Sequence, residues 1–107
     1  MSDAYIIAAF STPFAKMPDT SFKDLTRQAY MGLLADAELT DGRDIEQAWF
    51  GNCGMGTFGQ ACIRGQVCFT PLVQEGLFPE RVPIINVEGG CATASMAFHG
   101  AWKDVIS

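Results

Sequence analysis

An α/β fold, with a mostly parallel sheet covered by helices, is what this sequence predicts, on three observations. Apolar runs of strand length alternate with segments of helical periodicity in the order β-α-β-α-β-α. The first and third runs are continuously apolar, and the pair Gly89-Gly90 joins the third run to a helix without charges over its first three turns. Strands separated by helical crossovers lie parallel, and a strand covered on both faces is apolar throughout rather than alternating.

Each element has its own signal. Ala4-Tyr5-Ile6-Ile7-Ala8-Ala9-Phe10 is a short apolar run closed by Ser11-Thr12-Pro13, the pattern of a buried first strand. Ser21-Phe22-Lys23-Asp24 carries a capping box, with Ser21 as N-cap and an acidic residue three positions on. Phe22, Leu25, Ala29, Leu33 and Ala37 then trace one face of a helix that runs to about Leu39. After the turn Thr40-Asp41-Gly42-Arg43-Asp44, Ile45–Phe50 reads as the second strand. The glycine-rich stretch Gly51–Gly59 leads to a second helix from about Gln60. Pro71 is expected to bend or end it, because proline lacks an amide hydrogen and clashes with the preceding turn. Val82–Val87 is the third strand, and the last helix follows from Cys91.

At 107 residues the chain fits one small domain, and its composition is globular, with 49% hydrophobic and 18% charged residues. A net charge of −5 with scattered basic residues argues against a nucleic-acid partner. No apolar run approaches the roughly 18 residues of a membrane span, and Met1–Tyr5 carries no basic leader, so a cytoplasmic location is expected. The cysteines Cys53, Cys62, Cys68 and Cys91 and the single His99 are spaced 9, 6, 23 and 8 residues apart, which matches no common zinc site. No metal is expected, and without a secretory signal the cysteines read as reduced.

Cys91 is the candidate nucleophile. It stands where a strand and a tight glycine pair meet the start of a charge-free helix, Cys91–Trp102, which reads as buried. Amides and the positive dipole end at such a start stabilise a thiolate, and a nucleophile aimed from a strand–turn–helix corner is a recurring catalytic device. His99 is not its partner, since eight residues of helix separate them by about 12 Å. It reads as a packed, hydrogen-bonded core histidine. Met96, Phe98 and Trp102 read as core, and Arg64 and Lys103 as solvated charges that could touch an anion. Gly100, inside the helix, suggests close contact with another element.

A competing motif precedes the second helix. Gly54-Met55-Gly56-Thr57-Phe58-Gly59 matches G-x-G-x-x-G after a strand and before a helix, the context of a dinucleotide cradle. The spacing is against it. Glu88, the acidic residue that could bind a ribose, lies 29 residues past Gly59 rather than about 20. Extra residues, Gly51-Asn52-Cys53, also separate the strand from the first glycine. A tight, mobile or interface loop is the simpler reading, and a dinucleotide-binding module stays as an alternative.

Asn86-Val87-Glu88-Gly89-Gly90-Cys91-Ala92-Thr93-Ala94-Ser95 resembles the active-site segment of the thiolase superfamily, a strand and turn followed by Cys-x-[Ser/Thr]-Gly opening a helix. Ile6–Phe14 is similar to that family's first strand and Arg-Thr-Pro-Phe-type turn, with Ser11 where Arg is common. Phe22-Lys23-Asp24-Leu25, Phe50-Gly51-Asn52 and Gly59-Gln60-Ala61 resemble further landmarks in order. The Glu-Gly-Gly-Cys version is closest to the sterol-carrier-protein type. The resemblance covers nearly the whole chain and implies that residues 1–107 are part of an N-terminal thiolase-like domain, without the C-terminal domain. The complete fold would be five-layered and oligomeric, with a homo-oligomer expected.

The resemblance further implies an acyl-CoA acyltransferase in which Cys91 accepts an acyl group from a coenzyme A thioester, for Claisen condensation or its reverse. Its own amide would contribute to an oxyanion site. Coenzyme A thioester enters as substrate, and no permanently bound cofactor is implied. Ala94 departs from the family's glycine. The family's catalytic histidines and second cysteine have no counterpart in this sequence, so the remainder of the chain or a companion chain would supply the base. A non-catalytic thiolase-like assembly partner is the other alternative.

Overall fold

The computed structural model describes residues 3–107. Helix α1, Phe22–Asp36, starts where the sequence places it. The Ser21 hydroxyl accepts from the Asp24 amide at 3.0 Å, and Asp24 Oδ2 accepts from the Ser21 amide at 3.3 Å. The helix stops three residues short of the expected Leu39, and Glu38 beyond it takes a left-handed φ of 58°. Strand β1, Ala48–Gly51, leads through a 3-10 turn at Met55–Phe58 to helix α2, Arg64–Gln74. Strand β2, Ile84–Val87, follows, then helix α3, Thr93–Ile106.

The two strands pair in parallel, Ala48 opposite Ile84 and Gly51 opposite Val87, as the crossover order requires. Alternation along β1 assigns the sheet faces. Phe50 and, from β2, Ile84 and Asn86 meet α2 at Gly65, whereas Trp49 and Gly51 meet α3 at Gly100 and Thr93. The result is a helix–sheet–helix sandwich, with α1 packed against α2. The expected close approach at Gly100 is present: a β-carbon there would lie 2.6 Å from the Trp49 ring.

The core lies between α1, α2 and the loop entering β2. Tyr30, Leu34, Leu72, Phe78 and Val82 are buried together, with Phe69 packed against them. Tyr30, Phe69 and Phe78 form a triangle of rings 4.5 to 5.7 Å apart, a favourable aromatic separation.

Two expectations are corrected, and the one for Pro71 is narrowed. Residues 4–10 form no strand: Ile7 is 78% exposed, and the Ala9 amide donates to Asp36 Oδ2 at 2.9 Å. A strand exists only by pairing, and β1 and β2 pair with each other while this segment crosses the helices. The Phe10 ring rests on Gly32 of α1, and Ala4, Tyr5 and Ile6 edge a shallow hollow against α3. Pro71 does not end α2, which continues to Gln74. The burial of Leu72 and the Glu75 amide bond to the Pro71 carbonyl, at 3.1 Å, hold the last turn despite the missing donor. Helix α3 is apolar but not buried. Only Thr93 and Gly100 are covered, whereas Phe98 is 61% exposed, because nothing in residues 3–107 layers over its outer face.

Candidate active site

Strand β2 delivers the chain to the corner that carries Cys91. Two glycines make the corner possible. Gly90 sits at φ 59°, a left-handed conformation that side chains resist. A β-carbon on Gly89 would lie 2.1 Å from the Met96 sulfur. A short 3-10 turn, Gly90–Ala92, then precedes α3, so Cys91 stands one turn ahead of the α-helix and not on its first residue. Its thiol is free and the residue is exposed.

The hydrogen bonds of this corner are almost fully assigned. Thr93 Oγ1 donates to the Gly90 carbonyl at 2.7 Å and accepts from the Gly89 amide at 2.9 Å. The Gly90 amide donates to Glu88 Oε2 at 2.6 Å. The Ala92 amide donates to the Gly89 carbonyl, and the Thr93 amide to that of Gly90. Of the five amides from Gly89 to Thr93, only that of Cys91 has no partner among the described residues. An uncommitted amide beside an exposed thiol can donate to an oxyanion that develops next to it.

Neighbouring elements fix the corner from behind. Thr93 is 7% exposed, and its methyl stands against Gly51 of β1, where a β-carbon would lie only 2.7 Å away. Asn86 Oδ1 accepts from the Gly65 amide and Asn86 Nδ2 donates to Gln66 Oε1, both at 2.7 Å, tying β2 to the first turn of α2. Trp49 Nε1 donates to Asp104 Oδ2 at 2.7 Å, tying β1 to the far end of α3.

The glycine loop is built differently from a phosphate cradle. Asn52 Oδ1 takes the amides of both Gly54, at 2.9 Å, and Met55, at 2.7 Å. Met55 is 1% exposed and anchors the loop, and the Gly59 amide bonds back to Gly56 and Met55. Gly59, at φ 98°, ends a 3-10 turn, and α2 begins only at Arg64. The amides of Gly54, Met55 and Gly59 are thus engaged within the loop, and the helix start that would hold a pyrophosphate is displaced beyond it.

The remaining candidates disperse. His99 is exposed and stacks on Trp102 with ring centroids 5.4 Å apart, not in the core as expected, because the layer that would enclose it is not formed by these residues. It lies on α3, eight residues beyond Cys91, which precedes that helix. Arg64 is half-buried rather than solvated, donating to the Asn52 carbonyl at 2.5 Å, with a buried Nε that lacks a partner. Lys103 is exposed. Cys68 is a core residue, and Cys53 and Cys62 are exposed on the loop side. Among the described residues no group of three His, Cys, Asp or Glu side chains could hold a metal ion, and no helix is long and apolar enough to cross a membrane. Sequence reading treated Thr93 only as part of a motif. A hydroxyl two residues after the candidate nucleophile is its available signal.

No family model matches the chain. Curated relatives do, two of them over the whole of it. It is 31% identical over 107 residues to an acetyl-CoA acetyltransferase of Methanocaldococcus jannaschii, and 29% identical over 109 residues to an acetyl-CoA acetyltransferase of Methanothermobacter thermautotrophicus. The chain spans about a quarter, 26%, of the length of each.

Proposed function

We propose, for a chain that resembles acetyl-CoA acetyltransferases of the thiolase superfamily from end to end, that it is the N-terminal part of a thiolase-like acyltransferase with Cys91 as the acyl acceptor. The observation that carries this reading is the uncommitted Cys91 amide beside its exposed thiol, at a corner where every neighbouring amide is engaged. The substrate is a coenzyme A thioester. The Cys91 sulfur attacks the thioester carbonyl, and the carbonyl electrons move to oxygen, which the Cys91 amide receives. When they return, the bond to the coenzyme A sulfur breaks, leaving an acyl-cysteine. The thiol proton passes through a base to the departing coenzyme A sulfur.

That base is an imidazole from further polypeptide, either the rest of a longer chain or a companion chain, because His99 lies too far along α3. Claisen condensation or thiolytic cleavage follows from the acyl-cysteine. Association into a homo-oligomer and a cytoplasmic location belong to the same proposal; four free cysteines suit a reducing compartment.

The test is incubation of the complete protein with acetyl-CoA, followed by peptide-resolved mass spectrometry. An acetyl group on Cys91 that disappears in Cys91→Ser is the expected result. An unlabelled Cys91, or a Cys91→Ser protein that still carries the label on Cys53, Cys62 or Cys68, removes Cys91 from the role.

A further inference from the structure

We infer that Thr93 is a positioning residue for acyl transfer, and that its hydroxyl acts by holding the Cys91 amide as the single free donor of the corner. The inference rests on the acyl-acceptor role of Cys91 proposed above. Thr93 Oγ1 spans the cysteine, donating to the Gly90 carbonyl on one side of it and accepting from the amide of Gly89, one residue further back. Those two bonds fix the peptide groups that lead into Cys91, including a left-handed Gly90 that nothing in its own chemistry would hold. The threonine is itself fixed, being 7% exposed with its methyl seated on the bare backbone of Gly51. The sheet therefore sets the position of Thr93, and Thr93 sets the direction of the Cys91 N–H. Without the hydroxyl, the Gly89 amide and one interaction of the Gly90 carbonyl are released, and the turn is free to rotate the Cys91 amide away from a developing oxyanion.

The prediction separates two reactions of one thiol. Acetyl transfer from acetyl-CoA passes through an oxyanion, whereas alkylation by iodoacetamide displaces iodide and does not. In the complete protein, Thr93→Val keeps the shape and removes the hydroxyl, and Thr93→Ser keeps the hydroxyl and removes the methyl. Acetylation of Cys91 is expected to slow about tenfold to a hundredfold in Thr93→Val, the scale of a misplaced catalytic group. Thr93→Ser stays within about threefold of the parent, because it retains both hydrogen bonds. Iodoacetamide labelling of Cys91, read by peptide because Cys53 and Cys62 are also exposed, stays at the parent rate in both.

Unchanged acetylation in Thr93→Val overturns the inference. So does an equal fall in acetylation and alkylation, which makes Thr93 a support of the thiol and not of the amide. Should Thr93→Val not fold, Thr93→Ser decides, since slowed acetylation there overturns the inference and the parent rate supports it. A parent protein that takes no acetyl group on Cys91 refutes the acyl-acceptor reading itself, an outcome the parent sample reveals before any variant is compared.

Discussion

Tyr30 shows how one residue joins burial, a hydrogen bond and pH dependence. Its ring is 5% exposed among Phe69 and Phe78, and its hydroxyl donates to the Leu77 carbonyl at 2.5 Å. Burial, with a smaller contribution from the Asp41 charge, pushes its pKa up to about 12 from 10.0. A group whose folded pKa lies above its unfolded value binds more protons when folded. Its contribution is therefore complete below pH 10 and is lost as the pH rises toward about 12. Urea unfolding of Tyr30→Phe is expected to show a loss of about 1 kcal/mol near neutral pH. The alkaline fall of the parent should be reduced in the variant, and an identical fall in both would reject Tyr30 as its source. Gly100 makes a second residue-level case. The Trp49 ring is held by its bond to Asp104 on the same helix, so the new β-carbon of Gly100→Ala has no room. A loss of about 1–3 kcal/mol is expected for such overpacking, with altered tryptophan emission. Unchanged stability would mean that the ring moves freely.

Among the elements, α1 was the most legible in the sequence, because a capping box and a periodic apolar face are both local. Ser21→Ala removes the hydroxyl that receives the Asp24 amide, and a loss of about 1 kcal/mol is expected in thermal or urea unfolding. A neutral result would mean that packing on α2 alone fixes the helix start. Helix α2 was read less well. Its start moved from Gln60 to Arg64, entered through Ile63 at an unusual φ of 42°, and it ran past Pro71. Both shifts come from distant contacts: Gly65 packs on β2 and gives its amide to Asn86, and Leu72 is drawn into the core. The segment 4–10 shows the limit in the other direction. Its apolar run has the composition of a strand, but composition does not supply the neighbour that a ladder needs.

For the molecule as a whole, surface is the informative quantity. A folded monomer of 11.6 kDa exposes about 5,800 Å², whereas this chain exposes 7453 Å². The surplus is about twice the area that one partner contributes to a standard protein interface. Exposed apolar groups on the 4–10 segment and on α3, including Tyr5, Ile6, Phe98 and Trp102, contribute to it, with Phe14, Phe58 and Ile63 elsewhere. Residues 1–107 expressed alone are therefore expected to bind a hydrophobic dye and to self-associate as concentration rises. A monomer in sedimentation that leaves the dye dark would contradict this. By itself the sequence determined what is encoded locally. That covers the α/β alternation, the parallel pairing through a helix, the Ser21 cap, and Cys91 on a glycine corner ahead of an apolar helix. Tertiary structure alone decided which run has a strand partner, which face of α3 is covered, and that Asn52 occupies the amides of Gly54 and Met55. It also decided that Thr93 leaves the Cys91 amide free. The strand partner and the covered face depend on contacts between residues far apart in the chain. The Asn52 and Thr93 bonds span only two to four residues and depend on the turn geometry that the packed sheet and helices impose.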